Sequence, residues 1–153
     1  MKIQIELTDN LEEDEVLIRC SHLSEDIRRL EGVVKEISNH KRGISGYKGD
    51  KEFFLNLEDM LFFETEDGTV WAHTKDSVYE TKYKLYELEE MLPGHFMRVS
   101  KSSILNVSAV YSISRNLSAA SEVAFLGTHK TVYVSRHYFK PLKCKLEEMR
   151  IRR

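Results

Sequence analysis

A run of hydroxyl, amide and basic side chains between residues 98 and 106 is the part of this sequence best suited to contact a polyanion. The donors in this run are Arg98, Ser100, Lys101, Ser102, Ser103 and Asn106. Phosphates and the base edges of a DNA groove accept hydrogen bonds from these residue types. No acidic residue lies within the run to neutralise them. We therefore expect a nucleic-acid contact here, and the alternative is that Ser and Asn only cap a helical turn at 102–106.

A second group of donors, Ser135, Arg136, His137 and Lys140, stands at the start of a predicted terminal helix that extends to about residue 150. The first backbone N–H groups of a helix have no partner within the helix and attract phosphate. Proline lacks the N–H that continues a helix, so Pro141 predicts a short turn followed by a helix that starts near Lys140.

Other chemistries have little support in the sequence. The six histidines show no spacing typical of a zinc site. No Gly-x-Ser-x-Gly motif is present, and the glycines at 43, 46 and 49 are not followed by the Lys-Ser/Thr pair of a phosphate-binding loop. We expect no enzyme activity, no metal and no cofactor.

The charge is distributed unevenly along the chain. The formal net charge of 153 residues is only -2, from 23 basic and 25 acidic side chains. Residues 1–40 and 41–91 each carry a net -5, whereas residues 92–153 hold 11 basic and 3 acidic side chains, a net +8. Such one-sided charge indicates a polyanion partner. The sequence leaves open whether that partner is DNA, or whether the basic face serves a protein-interaction or anionic-membrane-surface module.

Length and composition suggest one domain, or one domain with a small appendage, and 41% hydrophobic residues are enough for a core. Cys20 and Cys144 form no C-x-x-C motif and suit a reducing compartment. The sequence shows no signal peptide and no apolar run of the roughly 20 residues that a membrane helix needs. We expect a cytoplasmic protein.

The first 40 residues predict a small β-β-α unit. Apolar residues alternate with polar ones at 3–7 and again at 16–20, which is typical of half-buried strands. Ser24 can cap a helix whose apolar residues Ile27, Leu30, Val34 and Ile37 share one face. About 40 residues bury little core, so we expect this unit to pack on the rest of the chain or on a second copy. Residues 38–50 are interpreted as a connection.

The remaining sequence is dense in short strand patterns and predicts an α+β fold that is predominantly β. The predicted strands are 52–55, 61–65, 70–74, 78–81, 96–99, 110–114, 122–126 and 131–134. Asp67-Gly68 predicts a tight hairpin, and Gly127-Thr128 predicts the turn of the last pair. A helix at 83–92 should end at Pro93-Gly94.

Four motifs, in this order and spacing, resemble the LytTR DNA-binding domain of bacterial transcriptional regulators. The motifs are Leu61-Phe62-Phe63-Glu64, Leu88-Glu89-Glu90-Met91-Leu92-Pro93, Phe96-Met97-Arg98-Val99-Ser100-Lys101-Ser102 with Asn106, and Val134-Ser135-Arg136-His137-Tyr138. The resemblance implies a LytTR-type DNA-binding domain at 46–153, built as an elongated arrangement of short antiparallel strands. Residues 1–45 would then form the N-terminal extension.

The resemblance also implies how such a domain contacts double-stranded DNA, because loops of the family enter successive major grooves. Thr69 in the hairpin, Lys101 and His137 would contact bases. Contacts to the phosphate backbone would come from Arg98, Ser102, Ser103, Ser135, Arg136 and Lys140, with Ser100 and Asn106 also in the interface. Where the family usually has His-Arg or His-Asn, this chain has Ser100-Lys101, and a Lys point charge reads guanine less stringently than an Arg fork.

The acidic extension suggests protein partners. The resemblance implies a stand-alone regulator without a phosphoacceptor domain, of the kind often restrained by a small membrane protein. We therefore expect a homodimer through the N-terminal extension, or a membrane-protein partner.

Overall fold

The computed structural model describes residues 2–7, 9, 15–40 and 43–151, which form an α+β fold made mostly of antiparallel strands. The helices are α1 (Glu25–His40), α2 (Leu85–Met91) and α3 (Arg136–Ile151). The strands are β1 (Ile44–Lys48), β2 (Lys51–Leu55), β3 (Phe62–Glu66), β4 (Thr69–His73), β5 (Val78–Thr81), β6 (Phe96–Arg98), β7 (Ser103–Asn106), β8 (Val110–Ser114), β9 (Ser121–Phe125) and β10 (Thr131–Val134). Short 3-10 turns lie at Leu57–Asp59 and Val107–Ala109. The predicted fold class is confirmed.

The strands form two antiparallel sheets. Seven strands make the larger sheet in the order β2-β1-β5-β4-β3-β7-β6, and β10-β9-β8 make the smaller one. The predicted hairpin between β3 and β4 is confirmed: Asp67 and Gly68 have φ values of +51° and +79°, and they are the only residues between the two strands. This left-handed pair fits the turn that matches strand twist, which is why Asp-Gly is favoured there.

Two hydrophobic cores lie on either side of the larger sheet. Residues of α2, such as Leu88, pack with Phe63 and Ile104 in the first core. The second core lies between the sheets, where Phe62 stacks on Phe125 with ring centroids 5.6 Å apart and Leu142 of α3 is fully buried. The alternation along β3 explains the arrangement, because successive side chains of a strand point to opposite faces.

The strands around the second core share two ends, which we name the loop end and the turn end. The loop end comprises the 67–68 hairpin, residues 99–102, residues 115–120 and the start of α3. The turn end comprises residues 74–77, 107–109 and 126–130. Strand β4 runs from one end to the other, which corresponds to about 17 Å at the rise of a strand.

The extension differs from its prediction. The helix is confirmed as α1, and the Ser24 side chain accepts a hydrogen bond from the Ile27 N–H at 3.3 Å. The strands predicted at 3–7 and 16–20 are wrong: the described residues 2–7 and 15–20 form no strand, and Ile3, Ile5 and Leu7 are more than four-fifths exposed. Alternation supplies a face, but a strand also needs a partner backbone, and no described residue bonds its backbone to these segments.

Two further interpretations of the sequence, a connection at 38–50 and the alternative of a helical turn at 102–106, are also corrected. Residues 38–50, interpreted from the sequence as a connection, contain β1. The domain boundary expected after residue 45 stays a prediction. All five residues of β1 pair with β2, and a Cβ at Gly46 would lie 2.7 Å from Cβ of Tyr79. Ser45 and Gly46 interrupt the alternation of apolar and polar residues in β1, so the sequence pattern does not indicate a strand there. Residues 103–106 form β7 between β3 and β6 instead of a helical turn.

Helix α3 is continuous through Pro141, which contradicts the predicted break. Proline at this position removes one backbone hydrogen bond, the one that the carbonyl of His137 would accept. The burial of Leu142 next to it, together with the packing of Tyr138, Phe139 and Leu146 on the second core, offsets that loss. Among the described residues, no helix is long and apolar enough to span a membrane.

Candidate nucleic-acid interface

Arg98 shapes the loop at residues 99–102 from within. Its Nε donates to the carbonyl of Ser100 at 2.8 Å, and its Nη2 donates to the carbonyl of Lys101. Its Nη1 lies 3.3 Å from a carboxylate oxygen of Glu89 on α2. The guanidinium therefore positions the loop, and the phosphate contact expected of Arg98 stays a prediction.

The loop presents Lys101 outward. The backbone N–H of Ser102 donates to the side chain of Ser100 at 3.2 Å, and the two hydroxyl oxygens lie 3.4 Å apart. The N–H of Val99 donates to the carbonyl of Ser103 at 3.0 Å, which closes the base of the loop. Lys101 is exposed, and its ammonium makes no hydrogen bond or ion pair with any residue that the structure describes. A fixed backbone thus holds an unpaired cation.

Backbone hydrogen bonds join this loop to the two other predicted contact segments. The carbonyl of Ser102 accepts from the N–H of Thr65 in the hairpin at 2.8 Å. The carbonyl of Val99 accepts from the N–H of Ser135, just before α3, at 2.9 Å. The hairpin, the loop and the helix start, which are far apart in sequence, therefore form one continuous surface at the loop end.

The start of α3 contributes exposed donors. His137 and Lys140 are exposed, and the ring of His137 meets Tyr138 edge-on at 4.9 Å. The Ser135 carbonyl accepts from the N–H groups of Tyr138 and Phe139, both at 3.1 Å, so it begins the helix.

Residues 115–120 also belong to this surface, and the sequence pattern did not predict them as a contact segment. Residues 115–120, between β8 and β9, lie against the helix start: Arg136 donates to the carbonyl of Ser118 at 2.7 Å, and the guanidinium of Arg115 lies 5.1 Å from the ring centre of Phe139. The signal available in the sequence was Arg115 at the edge of a turn-rich stretch. Arg136 is exposed but partly engaged, and Arg115 adds a further cation at the loop end.

Two predicted contact residues are buried instead. Ser103 is 6% exposed and Asn106 is 3% exposed. The Asn106 amide nitrogen donates to the carbonyl of Met60 at 2.9 Å, and its oxygen accepts from the N–H of Ser108 at 3.0 Å. The expectation that these two residues face DNA is therefore corrected, and Asn106 caps the 3-10 turn that follows it.

The hairpin brings negative charge to the loop end. Thr69 is half-buried and pairs with Glu66, while Glu66 and Asp67 are exposed. Burial, and after it the neighbouring carboxylate of Glu66, raise the pKa of Glu64, while Lys130 opposes the shift. The tip is thus able to accept hydrogen bonds and repels phosphate.

A largely buried histidine lies between the sheets, where β4 reaches the turn end. The ring of His73 stacks on Phe62 at 4.1 Å, and its Nε2 lies 3.0 Å from Glu64 Oε1 without hydrogen-bond alignment. Burial, and after it the ammonium of Lys130, lower the pKa of His73 to about 4. His73 is therefore neutral at pH 7. In the part of the chain that the structure describes, no group of three His, Cys, Asp or Glu side chains could hold a metal ion.

Comparison with known proteins shows the family and the fold of the chain. The family model described as the LytTr DNA-binding domain matches residues 50–147, more than half of the chain. A solved LytTr DNA-binding domain from Bacillus cereus superposes with a TM-score of 0.64 at 21% identity, over 69% of this chain and 97% of that one. This likeness shows a shared fold.

Full-length relatives are also found. Uncharacterized HTH-type transcriptional regulators of Staphylococcus aureus strains NCTC 8325 / PS 47 and COL are each 27% identical over 146 residues, which cover 95% of this chain and 98% of theirs. Their names refer to a helix-turn-helix, but among the described residues here strands separate every pair of helices.

The fold, the cationic loop end and these similarities define a DNA-binding transcriptional regulator, a class that is not enzymatic. The chain belongs to the LytTR family.

Proposed function

We propose that this regulator binds double-stranded DNA sequence-specifically and places its loop end in successive major grooves. Lys101, His137 and Thr69 contact bases. Phosphate contacts come from Ser100, Ser102, Ser135, Arg136 and Lys140, while Arg98 holds the loop in shape. The observation that carries this proposal is the pair of backbone bonds, Thr65 to Ser102 and Ser135 to Val99, which fix three donor-bearing segments beside one another.

The charges of the loop end support phosphate binding, and those of the hairpin tip support discrimination between bases. Each phosphate that a cation neutralises releases condensed counterions, so affinity should fall steeply as salt rises. Glu66 and Asp67 oppose phosphate, but a carboxylate can accept from the amino group of cytosine in the major groove. The hairpin tip is therefore suited to reading bases, alongside Lys101 and His137, while the other donors hold the phosphate backbone.

Selection of bound fragments from random duplex DNA at two salt concentrations tests the proposal. We expect an enriched motif at both concentrations, with half-sites about 10 base pairs apart if two copies bind one face. Salt-sensitive binding with no enriched motif would reject sequence specificity and favour a general polyanion surface, which binding to anionic vesicles would then identify.

We also propose that the N-terminal extension mediates homodimer formation. Apolar side chains of α1 are open to solvent, since Val33 is 49% exposed and Ile37 is 61% exposed. Sedimentation equilibrium should show a dimer whose dissociation constant rises at least tenfold in Ile37→Asp. A monomeric wild-type chain at high concentration would contradict this.

A small membrane protein that restrains the regulator is proposed from the family resemblance, together with a cytoplasmic location for the regulator itself. Cell fractionation should find the chain in the soluble fraction when the membrane partner is deleted and with the membranes when the partner is overproduced. The same distribution in both strains would reject the partnership.

A further inference from the structure

The turn end contains an open cleft of about 810 Å³ between the two sheets. Its lining includes the 74–77 turn of the larger sheet and Leu126 of the smaller one. Met60 and Asn106 also line it, as do residues of the two 3-10 turns. The cleft lies at the opposite end of β4 from the proposed DNA surface, so both could be occupied at once.

Large apolar side chains stand around this cleft with their surfaces in solvent. Phe54 is 85% exposed, Tyr111 is 68% exposed and Leu126 is 61% exposed. Single exposed apolar residues are ordinary on a protein surface, but three large ones on one concave site mark an interaction surface.

The charge around the cleft is negative. Among the described residues, its lining includes the carboxylates of Glu58, Asp59 and Asp76 and one basic residue, Lys75. None of the three carboxylates forms an ion pair within the described residues. The Asn56 side chain accepts from the N–H of Glu58 at 3.1 Å, which fixes the turn that presents Glu58 and Asp59.

Two nearby cations, Lys130 and Lys48, donate to groups of the protein. The ammonium of Lys130 donates to the carbonyls of Thr74 and Ser77, each at 2.7 Å, and Lys48 donates to the hydroxyl of Ser77 at 3.3 Å. The hydroxyl of Thr128 donates to the carbonyl of Lys75 at 3.2 Å and joins residues 126–130 to residues 74–77. These hydrogen bonds hold the cleft in shape without a bound partner.

We propose that this cleft docks a basic, amphipathic segment of another protein, whose apolar residues contact Phe54, Tyr111 and Leu126 and whose cations meet Glu58, Asp59 and Asp76. Charge selects this occupant over a second copy of the extension, because residues 1–40 carry a net -5 and would be repelled by the acidic rim. Because the cleft lies at the opposite end of β4 from the proposed DNA surface, it would remain accessible to a protein partner while DNA is bound.

The test uses two labelled model peptides of about five helical turns, one of leucine and lysine and one of leucine and glutamate with the same leucine positions. Fluorescence anisotropy with the full chain should show at least tenfold tighter binding of the leucine–lysine peptide. Leu126→Ser should weaken that binding about tenfold, whereas Tyr133→Ser, at a 62% exposed residue outside the cleft lining, should leave it unchanged. Because both side chains are largely exposed, both variants should fold, which circular dichroism checks.

The electrostatic part is tested by Glu58→Gln with Asp59→Asn, which should bring the two peptides to similar affinity, with Glu87→Gln as the control. Lys101→Ala should bind the leucine–lysine peptide like the wild type, so a failure of DNA binding is distinguishable from a failure of docking. Equal affinity of both peptides for the wild type, no binding, or tighter binding of a peptide of residues 1–40 would each overturn the proposal.

Discussion

The loop end and the turn end of the same strands differ in charge and in how their cations are used. At the loop end, Lys101 extends from a loop whose backbone Arg98 fixes, and His137 and Lys140 are exposed beside it. At the turn end, Lys130 is committed to two carbonyls, and the carboxylates of Glu58 and Asp59 are exposed. Short strands thus separate a surface for an anionic partner from a surface for a cationic one.

This difference explains why a formal net charge of -2 is compatible with binding DNA. The segment 41–91, which carries a net -5, places some acidic residues at the loop end, because Glu66 and Asp67 lie at the hairpin tip. Its other carboxylates include Glu58, Asp59 and Asp76, which line the cleft at the far end. Position along the strands, rather than total charge, determines which partner each surface suits.

The largest expected effect concerns His73, which lies between the sheets. Its pKa is lowered to about 4, so the unfolded chain takes up a proton at about pH 6.5 while the folded chain does not. Stability should therefore fall as pH drops from 6.5 to 4, by about 3 kcal/mol. The raised pKa of Glu64 acts in the opposite sense and reduces the loss.

Urea unfolding at several pH values measures this loss. His73→Phe, which can keep the stacking on Phe62, should flatten the pH dependence, and the exposed-site control His22→Phe should retain it. An unchanged slope in His73→Phe would show that the acid sensitivity arises elsewhere.

Lys101→Ala tests whether the unpaired cation at the loop end contributes to DNA binding. Loss of an unpaired, positioned cation should weaken specific DNA binding by about 1–3 kcal/mol and relax one position of the recognised site. Electrophoretic mobility shifts with the selected duplex measure the affinity, and Lys51→Ala, at an exposed site on β2, is the control. Equal DNA affinity and an unchanged recognised motif in Lys101→Ala would show that Lys101 does not contact DNA.

Lys130→Met tests the contrasting use of a cation at the turn end. The substitution leaves the carbonyls of Thr74 and Ser77 without their donor, so the free energy of unfolding should fall by about 1–2 kcal/mol. DNA affinity of the folded variant should stay within twofold of the wild type. A large loss of DNA affinity with unchanged stability would place Lys130 in the interface.

The smallest effect is expected at the hairpin tip. Neutralising both acids with Glu66→Gln and Asp67→Asn should strengthen binding to non-specific duplex by about 0.5–1 kcal/mol, because repulsion of phosphate is removed. The same double variant should discriminate less between selected and random duplexes. Weaker non-specific binding in this variant would contradict a tip that faces DNA.

Much of the fold was predictable because its signals are local. Asp67-Gly68 specified a two-residue turn, and Pro93-Gly94 marked the end of α2. The strands predicted in the extension failed because alternation does not supply a partner strand. Pro141 failed as a helix breaker because the burial of Leu142 depends on tertiary packing, which no local rule contains.

The candidate site was predictable in residue type but not in exposure. Lys101 and His137 are exposed as expected, whereas Asn106 is used inside the protein, and donors of the same type serve both purposes. Arg98 shows the same ambiguity, since a guanidinium can bind phosphate or hold a loop. The carboxylates of the cleft come from segments around residues 58 and 76, whose proximity depends on the pairing of β3, β4 and β5.

Hydrogen exchange of the chain, alone and with the selected duplex, tests the separation of the two ends most directly. Slower exchange is expected in residues 99–102 and at the start of α3, with no change in residues 74–77 and 107–111. Protection confined to the turn end, with exchange of residues 99–102 unaltered, would contradict the assignment of the loop end to DNA.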